Sequence, residues 1–168
     1  DDSFVIAPGG QVTGCMGGGP ADGEADEDEQ PVDTISWEDW TTPVTVTLLA
    51  SDDTTAATGT NVAAFVNIDV VVGGTAGGTI NGPDDEHVTW TIDGPLSGSV
   101  AGLGFEDFDV LRGANGNADL FVVEPGARFT GTIHGGTGGS DALLIHVDAD
   151  TGSLYNPAGA DSTGTATL

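Results

Sequence analysis

The chain matches itself at several fixed shifts, and this self-similarity constrains its fold more than any other property. Asp2-Ser3-Phe4-Val5-Ile6-Ala7-Pro8-Gly9 returns 117 residues later as Asp119-Leu120-Phe121-Val122-Val123-Glu124-Pro125-Gly126, and the match continues through Thr13-Gly14 and Thr130-Gly131. Phe65-Val66-Asn67-Ile68-Asp69-Val70-Val71-Val72-Gly73 returns 40 residues later as Phe105-Glu106-Asp107-Phe108-Asp109-Val110-Leu111-Arg112-Gly113, with apolar positions held while polar ones drift. A finer element has an apolar residue, one spacer, a glycine, seven residues, then an apolar pair flanking one residue. It reads Ile80-x-Gly82 to Trp90-x-Ile92, then Leu111-x-Gly113 to Phe121-x-Val123, then Ile133-x-Gly135 to Leu143-x-Ile145. Each copy is a strand, a glycine turn and a strand of period two. One such unit cannot bury its apolar face alone, whereas stacked copies place like residues in rows. Ile80, Trp90, Ile92, Leu111, Phe121, Val123, Ile133, Leu143 and Ile145 are therefore expected to point into one core, since a one-residue slip would turn them all outward.

Composition supports a thin β core. With 28 glycines and only 6% aromatic residues, a thick helical core is hard to build, and no stretch has a convincing helical period. Val44-Thr45-Val46-Thr47-Leu48 and Phe129-Thr130-Gly131-Thr132-Ile133 alternate as half-buried strands do. The predicted fold is all-β, a β-solenoid of the parallel β-helix or β-roll kind with glycine-rich turns, in a single domain over residues 1–168. Residues 20–32, which include Glu24-Ala25-Asp26-Glu27-Asp28-Glu29, read as an acidic surface insertion between strands.

The charge is one-sided. Against 27 Asp and Glu stand only Arg112 and Arg128, for a formal net charge of −25. Such a surface repels phosphate backbones and anionic lipid, which excludes nucleic acid as a partner. It suits a high-salt setting, and self-repulsion predicts that added salt raises stability. Cys15 is the only cysteine, so no internal disulfide is expected. No apolar run approaches membrane-spanning length and no basic leader is present, so membrane insertion is not expected. Val12-Thr13-Gly14-Cys15 looks like a lipoprotein cleavage box, but the repeat accounts for the same segment.

The order of Asp33-Thr34-Ile35-Ser36-Trp37, Val44 to Leu48, Thr58-Gly59-Thr60, Phe65 to Gly73, Val88-Thr89-Trp90-Thr91-Ile92 and Phe105 to Gly113 resembles the long tandem repeats of giant bacterial surface adhesins, the filamentous-haemagglutinin-like and haemolysin-type calcium-binding repeat proteins. The likeness spans nearly the whole chain, in the order of its segments. It implies a secreted or cell-surface module for adhesion or matrix building, with no catalytic residues.

That resemblance raises the question of calcium, the one cofactor considered. The haemolysin-type nonapeptide Gly-Gly-x-Gly-x-Asp-x-apolar-x gathers turn carbonyls and Asp carboxylates as hard oxygen ligands. Here the motif is eroded. Gly135 to Leu143 has one residue too many before Asp141, residues 73–80 have glycine where the Asp should stand, and Gly113 to Phe121 keeps Asp119 with only Gly113 and Gly116 in the turn. Asp119 and Asp141, with Asp84 and Asp85, are the candidate ligands; the preferred account is that these aspartates hydrogen-bond backbone N–H groups at turns. His87, His134 and His146 fall at different phases of the repeat and read as solvent-facing residues rather than metal ligands. Enzymatic activity is not expected, because no Gly-x-Ser-x-Gly elbow occurs and the carboxylate pairs are what this composition gives by chance. Trp37 and Trp40, if exposed, would form a stacking surface for surface glycans. The expected partners are identical or neighbouring repeats: residues 2–14 begin partway through a repeat, and Thr163-Gly164-Thr165, which matches Thr58-Gly59-Thr60, stops partway through another.

Overall fold

The computed structural model describes residues 2–19, 32–49, 56–84, 87–146 and 165–167. These are all-β, with no helix among the described residues. The strands are β1 (Ser3–Val5), β2 (Val12–Gly17), β3 (Thr34–Ser36), β4 (Val44–Leu48), β5 (Ala57–Gly59), β6 (Val62–Val66), β7 (Val70–Val72) and β8 (Gly78–Asn81). They continue with β9 (His87–Ile92), β10 (Gly98–Val100), β11 (Leu103–Glu106), β12 (Val110–Arg112), β13 (Ala118–Val123), β14 (Thr132–His134), β15 (Ala142–Ile145) and β16 (Thr165–Thr167). They form two mixed sheets, one in the order β1-β3-β7-β11-β10-β9-β13-β15 and the other β16-β14-β12-β8-β4-β5-β6-β2. Neither sheet closes into a barrel.

The finest sequence repeat predicts the parallel register residue for residue. In the second sheet Leu111 of β12 lies between Ile80 of β8 and Ile133 of β14. In the first, Phe121 of β13 lies between Trp90 of β9 and Leu143 of β15, and Val123 lies between Ile92 and Ile145. Seven of the nine residues expected in the core are buried, and Leu143 and Ile145 are half-buried against it. The difference is positional: β15 is an outer strand, so its row has a neighbour on one side only. The buried apolar residues of both sheets belong to one cluster, and along β4 and β9 they alternate with more exposed threonines.

The 40-residue repeat has a different meaning. Its first copy crosses from the second sheet (β6) to the first (β7), and its second copy crosses from the first (β11) to the second (β12). Each follows an antiparallel three-stranded meander, β4-β5-β6 in one sheet and β9-β10-β11 in the other. Matched residues even share unusual backbone angles: Asn67 and Asp107 both have positive φ, of 52° and 61°, and so do Asn61 and Ala101, at 60° and 48°. These meanders make the sheets mixed where a uniformly parallel stack was the simplest expectation.

The 117-residue repeat places β1 and β13 in the same sheet, each ended by the same turn. The Ala7 carbonyl accepts from Gly10 N–H and the Glu124 carbonyl from Ala127 N–H, both at close range, 2.8 and 3.0 Å. Proline follows the acceptor residue, and Gly9 and Gly126 come third with φ of 80° each, the left-handed position that a type II turn reserves for glycine. The acidic insertion expected at about 20–32 lies outside the described residues apart from Val32, which is exposed.

Candidate functional site

Aspartates beside strand starts share one structural task. Asp33 N–H donates to Asp69 Oδ2 at 2.7 Å, and Asp2 N–H to Asp33 Oδ1 at 2.5 Å. Gly78 N–H donates to Asp109 Oδ1 at 2.9 Å, and Asp119 N–H to Asp141 Oδ1 at 3.1 Å. In each case the carboxylate satisfies a backbone donor on the adjacent strand, where the ladder begins and the N–H would otherwise be unpaired. Of the four aspartates considered as calcium ligands, Asp141 is the one in this set.

Asp119 is the most unusual of them. It is 1% exposed, and its Oδ1 accepts from Trp90 Nε1 at 3.2 Å while the Trp90 ring stacks on Phe121 with centroids 5.1 Å apart. Burial pushes its carboxyl above the usual carboxylate range; the indole N–H opposes that rise, and the negative charge of Asp141 adds to it. The Ala114 N–H and the Asn117 side-chain amide lie close enough to Asp119 to oppose the rise as well, although at strict hydrogen-bond geometry Asp119 Oδ2, Asn117 Oδ1 and Asn117 Nδ2 have no partner among the described residues.

Calcium takes six to eight oxygen ligands. One oxygen of Asp119 accepts from Trp90 and one of Asp141 from a backbone N–H. Among the described residues no three His, Cys, Asp or Glu side chains gather into a metal-binding group. Asp84 is exposed and stands apart, on the rim of a groove in the second sheet, and Asp85 lies outside the described residues.

The tryptophan expectation is corrected by burial. Trp37 is 0% and Trp40 8% exposed, and their indole N–H groups donate inward to the Thr60 and Ile6 carbonyls at 2.9 and 2.6 Å. Both follow β3, where their size fills the space between the sheets, so neither offers a ring face to a sugar. His87 and His146 are exposed, and His146 Nδ1 lies 3.5 Å from Glu124 Oε2; His134 is half-buried.

A different set of residues forms the groove that Asp84 borders. The spacer of the finest repeat is Asn81, Arg112 or His134, and the parallel register of β8, β12 and β14 aligns these three in one outward row. Thr47 of β4 extends the row, accepting a hydrogen bond from Asn81 Nδ2 at 2.9 Å. Beyond the row the glycine turns rise and enclose a half-open groove of about 540 Å³. Asn115 sits in one wall, where its Oδ1 accepts from both Thr137 N–H and Thr137 Oγ1. Arg112 is exposed and has no ion pair among the described residues. The sequence holds a signal for this row, because all three residues are the spacer of one motif. The signal is weak: the three side chains differ in kind, whereas the apolar positions on either side repeat theirs.

No protein-family model, no curated protein and no solved structure matches the chain.

Proposed function

We propose that this chain is a non-enzymatic structural and adhesive module that works outside the cell, at its surface, and assembles with identical or tandem copies into a filament or stalk. Within that reading its stacked strand pairs β8-β9, β12-β13 and β14-β15 are coils of a β-solenoid, interrupted twice by a meander. The observation that carries the proposal is the unfinished row at β15. Leu143 and Ile145 repeat the positions of the buried Phe121 and Val123, yet remain half-buried because nothing among the described residues pairs with the outer edge of β15. On the outer face of the same edge Leu144 is 45% and Leu120 37% exposed. A further coil of the same design would complete both the apolar rows and the backbone ladder, which is how open edges are satisfied in assemblies. The high negative charge opposes close approach in dilute buffer and is screened by salt.

Sedimentation velocity in molar salt tests the reading. The native chain should form oligomers that grow with concentration, and Leu144→Glu, which adds a charge at an exposed edge position without touching the core, should shift the distribution toward monomer. A strictly monomeric native chain across a wide concentration range defeats the proposal.

A further inference from the structure

We propose that the groove on the outer face of the second sheet is a binding site for a carboxylate-bearing saccharide, with Arg112 as the group that holds the carboxylate. The site lies across β4, β8, β12 and β14, whereas the assembly edge is β15 of the other sheet, so the two inferences stand or fall separately.

The first argument is charge. Arg112 is one of only two cationic residues in a chain of net charge −25, and it stands exposed in a concavity without a carboxylate partner among the described residues. A guanidinium presents a fork of N–H donors that matches one carboxylate bidentately. A polyanion would be repelled by the protein's overall field, but a single carboxylate against the guanidinium is held by a short-range contact, with distant charges screened beyond about 8–10 Å at physiological salt.

The second argument is the rest of the lining. Asn81 spends its amide on Thr47 and keeps its Oδ1 as an acceptor; Asn115 spends its Oδ1 on Thr137 and keeps its amide as a donor. The groove thus offers fixed donors and acceptors on both sides of the guanidinium, each oriented by a hydrogen bond to a neighbour. That mixture is what hydroxyl groups need, since each can donate and accept. Leu49, exposed to 47%, provides an apolar flank for the C–H face of a ring. The volume of about 540 Å³ falls within the range of small-molecule sites, roughly 300–1,000 Å³. An extended acidic peptide would bring several carboxylates to one arginine, against the field of a chain of net charge −25.

Isothermal titration calorimetry of the full chain tests this in about 0.15–0.5 M salt, where the screening length is about 8 Å or less. The probes are a short neutral oligosaccharide carrying a single uronic-acid residue, the same oligosaccharide with that carboxyl reduced to an alcohol, and a short peptide carrying a single glutamate. The acidic sugar should bind at least about tenfold more tightly than the reduced sugar, Arg112→Gln should abolish that preference, and Arg112→Lys should restore it only in part. Circular dichroism of both variants should match the native chain, because Arg112 is exposed. No binding of the acidic sugar, equal binding of the reduced sugar, an unaffected R112Q, or a single-glutamate peptide that binds as well as the sugar would each overturn the proposal.

Discussion

In the stack of β9, β13 and β15 each inward position is filled by the same kind of residue three times over, Trp90, Phe121 and Leu143 in one row and Ile92, Val123 and Ile145 in the next. In the meanders several facing pairs set a glycine against a large side chain. Gly59 faces Val46, and Gly98 stands between Ile92 and Phe105. A parallel stack spreads its information over rows, so neighbouring copies need similar side chains and any one row is bounded by the next. A meander concentrates its information in single positions, where a missing side chain or a left-handed backbone decides whether the strand can turn back and pack.

The largest expected effect lies where the two regions meet. Trp90 stacks on Phe121 in the parallel ladder, faces Val100 in the meander, is fully buried and donates to the buried Asp119. Trp90→Ala should cost about 3–5 kcal/mol from the cavity, with about 1–3 kcal/mol more for the carboxylate oxygen left without its donor. Urea denaturation followed by circular dichroism measures it. A loss under about 2 kcal/mol would mean that the rows do not share one cooperative core.

Gly98→Ala should come next, and it acts on the meander alone. A Cβ at Gly98 would overlap the Thr91 carbonyl oxygen and lie 2.8 Å from the Phe105 ring. The rigid backbone neighbour cannot move aside cheaply, so a loss of about 1–3 kcal/mol is expected from overpacking. Gly14→Ala on the outer strand β2, where a Cβ meets nothing within 4 Å, is the control and should be near neutral. Equal effects at both sites would remove the distinction between a meander glycine fixed by close approach and an edge glycine that is not.

This contrast explains what the amino-acid order reveals and what it conceals. Similar residues at a fixed shift mark rows directly, so the registers Ile80/Leu111/Ile133 and Trp90/Phe121/Leu143 are legible in the sequence alone. The 40-residue match is equally plain but its meaning is not, because residue similarity does not say that Phe65 and Phe105 lie in opposite sheets. Nor does the sequence give the environment of Trp37, since a tryptophan after a strand can cap the core or stand on the surface, and only the space above Gly59 settles it. Of the groove, the row of spacer residues is readable; the turns that wall it are glycine-rich and have no side-chain pattern to read.

Asp119→Asn probes the stack at its buried polar point, and the effect should depend on pH. The folded-state pKa of Asp119 is raised by burial, so its favourable contribution is fully present below the unfolded value of 3.8 and is lost as pH rises through the folded value. An asparagine can still accept from Trp90 but carries no charge to desolvate. The stability of D119N relative to the native chain should therefore increase from acid toward neutral pH, as read by thermal unfolding across that range. A difference that is flat with pH, or that runs the other way, would show that the carboxyl is not held against ionisation.

The smallest expected effect separates the two meanders from each other. The β10-β11 hairpin turns through two residues, Ala101 and Gly102, with φ of 48° and 82°; positive φ at both central positions is the requirement of a type I′ turn, for which Asn-Gly and Gly-Gly are the favoured pairs. Alanine there holds a left-handed conformation that disfavours a Cβ by about 1–2 kcal/mol. Ala101→Gly removes that strain, and the greater freedom of glycine in the unfolded chain returns about 0.4–1 kcal/mol of it. The net gain should be about 0.5–1 kcal/mol, a rise in midpoint of about 1–3 °C for a chain of this size. The matching residue in the other meander, Asn61, is tolerant of the left-handed region and also donates through Nδ2 to the Gly10 carbonyl at 3.0 Å. Asn61→Gly therefore relieves little strain and loses a tether to the segment before β2, so it should destabilise by about 0.5–1 kcal/mol. Opposite signs at two positions matched by the same 40-residue shift would establish that the repeat preserves backbone conformation while leaving each turn to its own chemistry. A destabilised A101G, or a stabilised N61G, would break that reading.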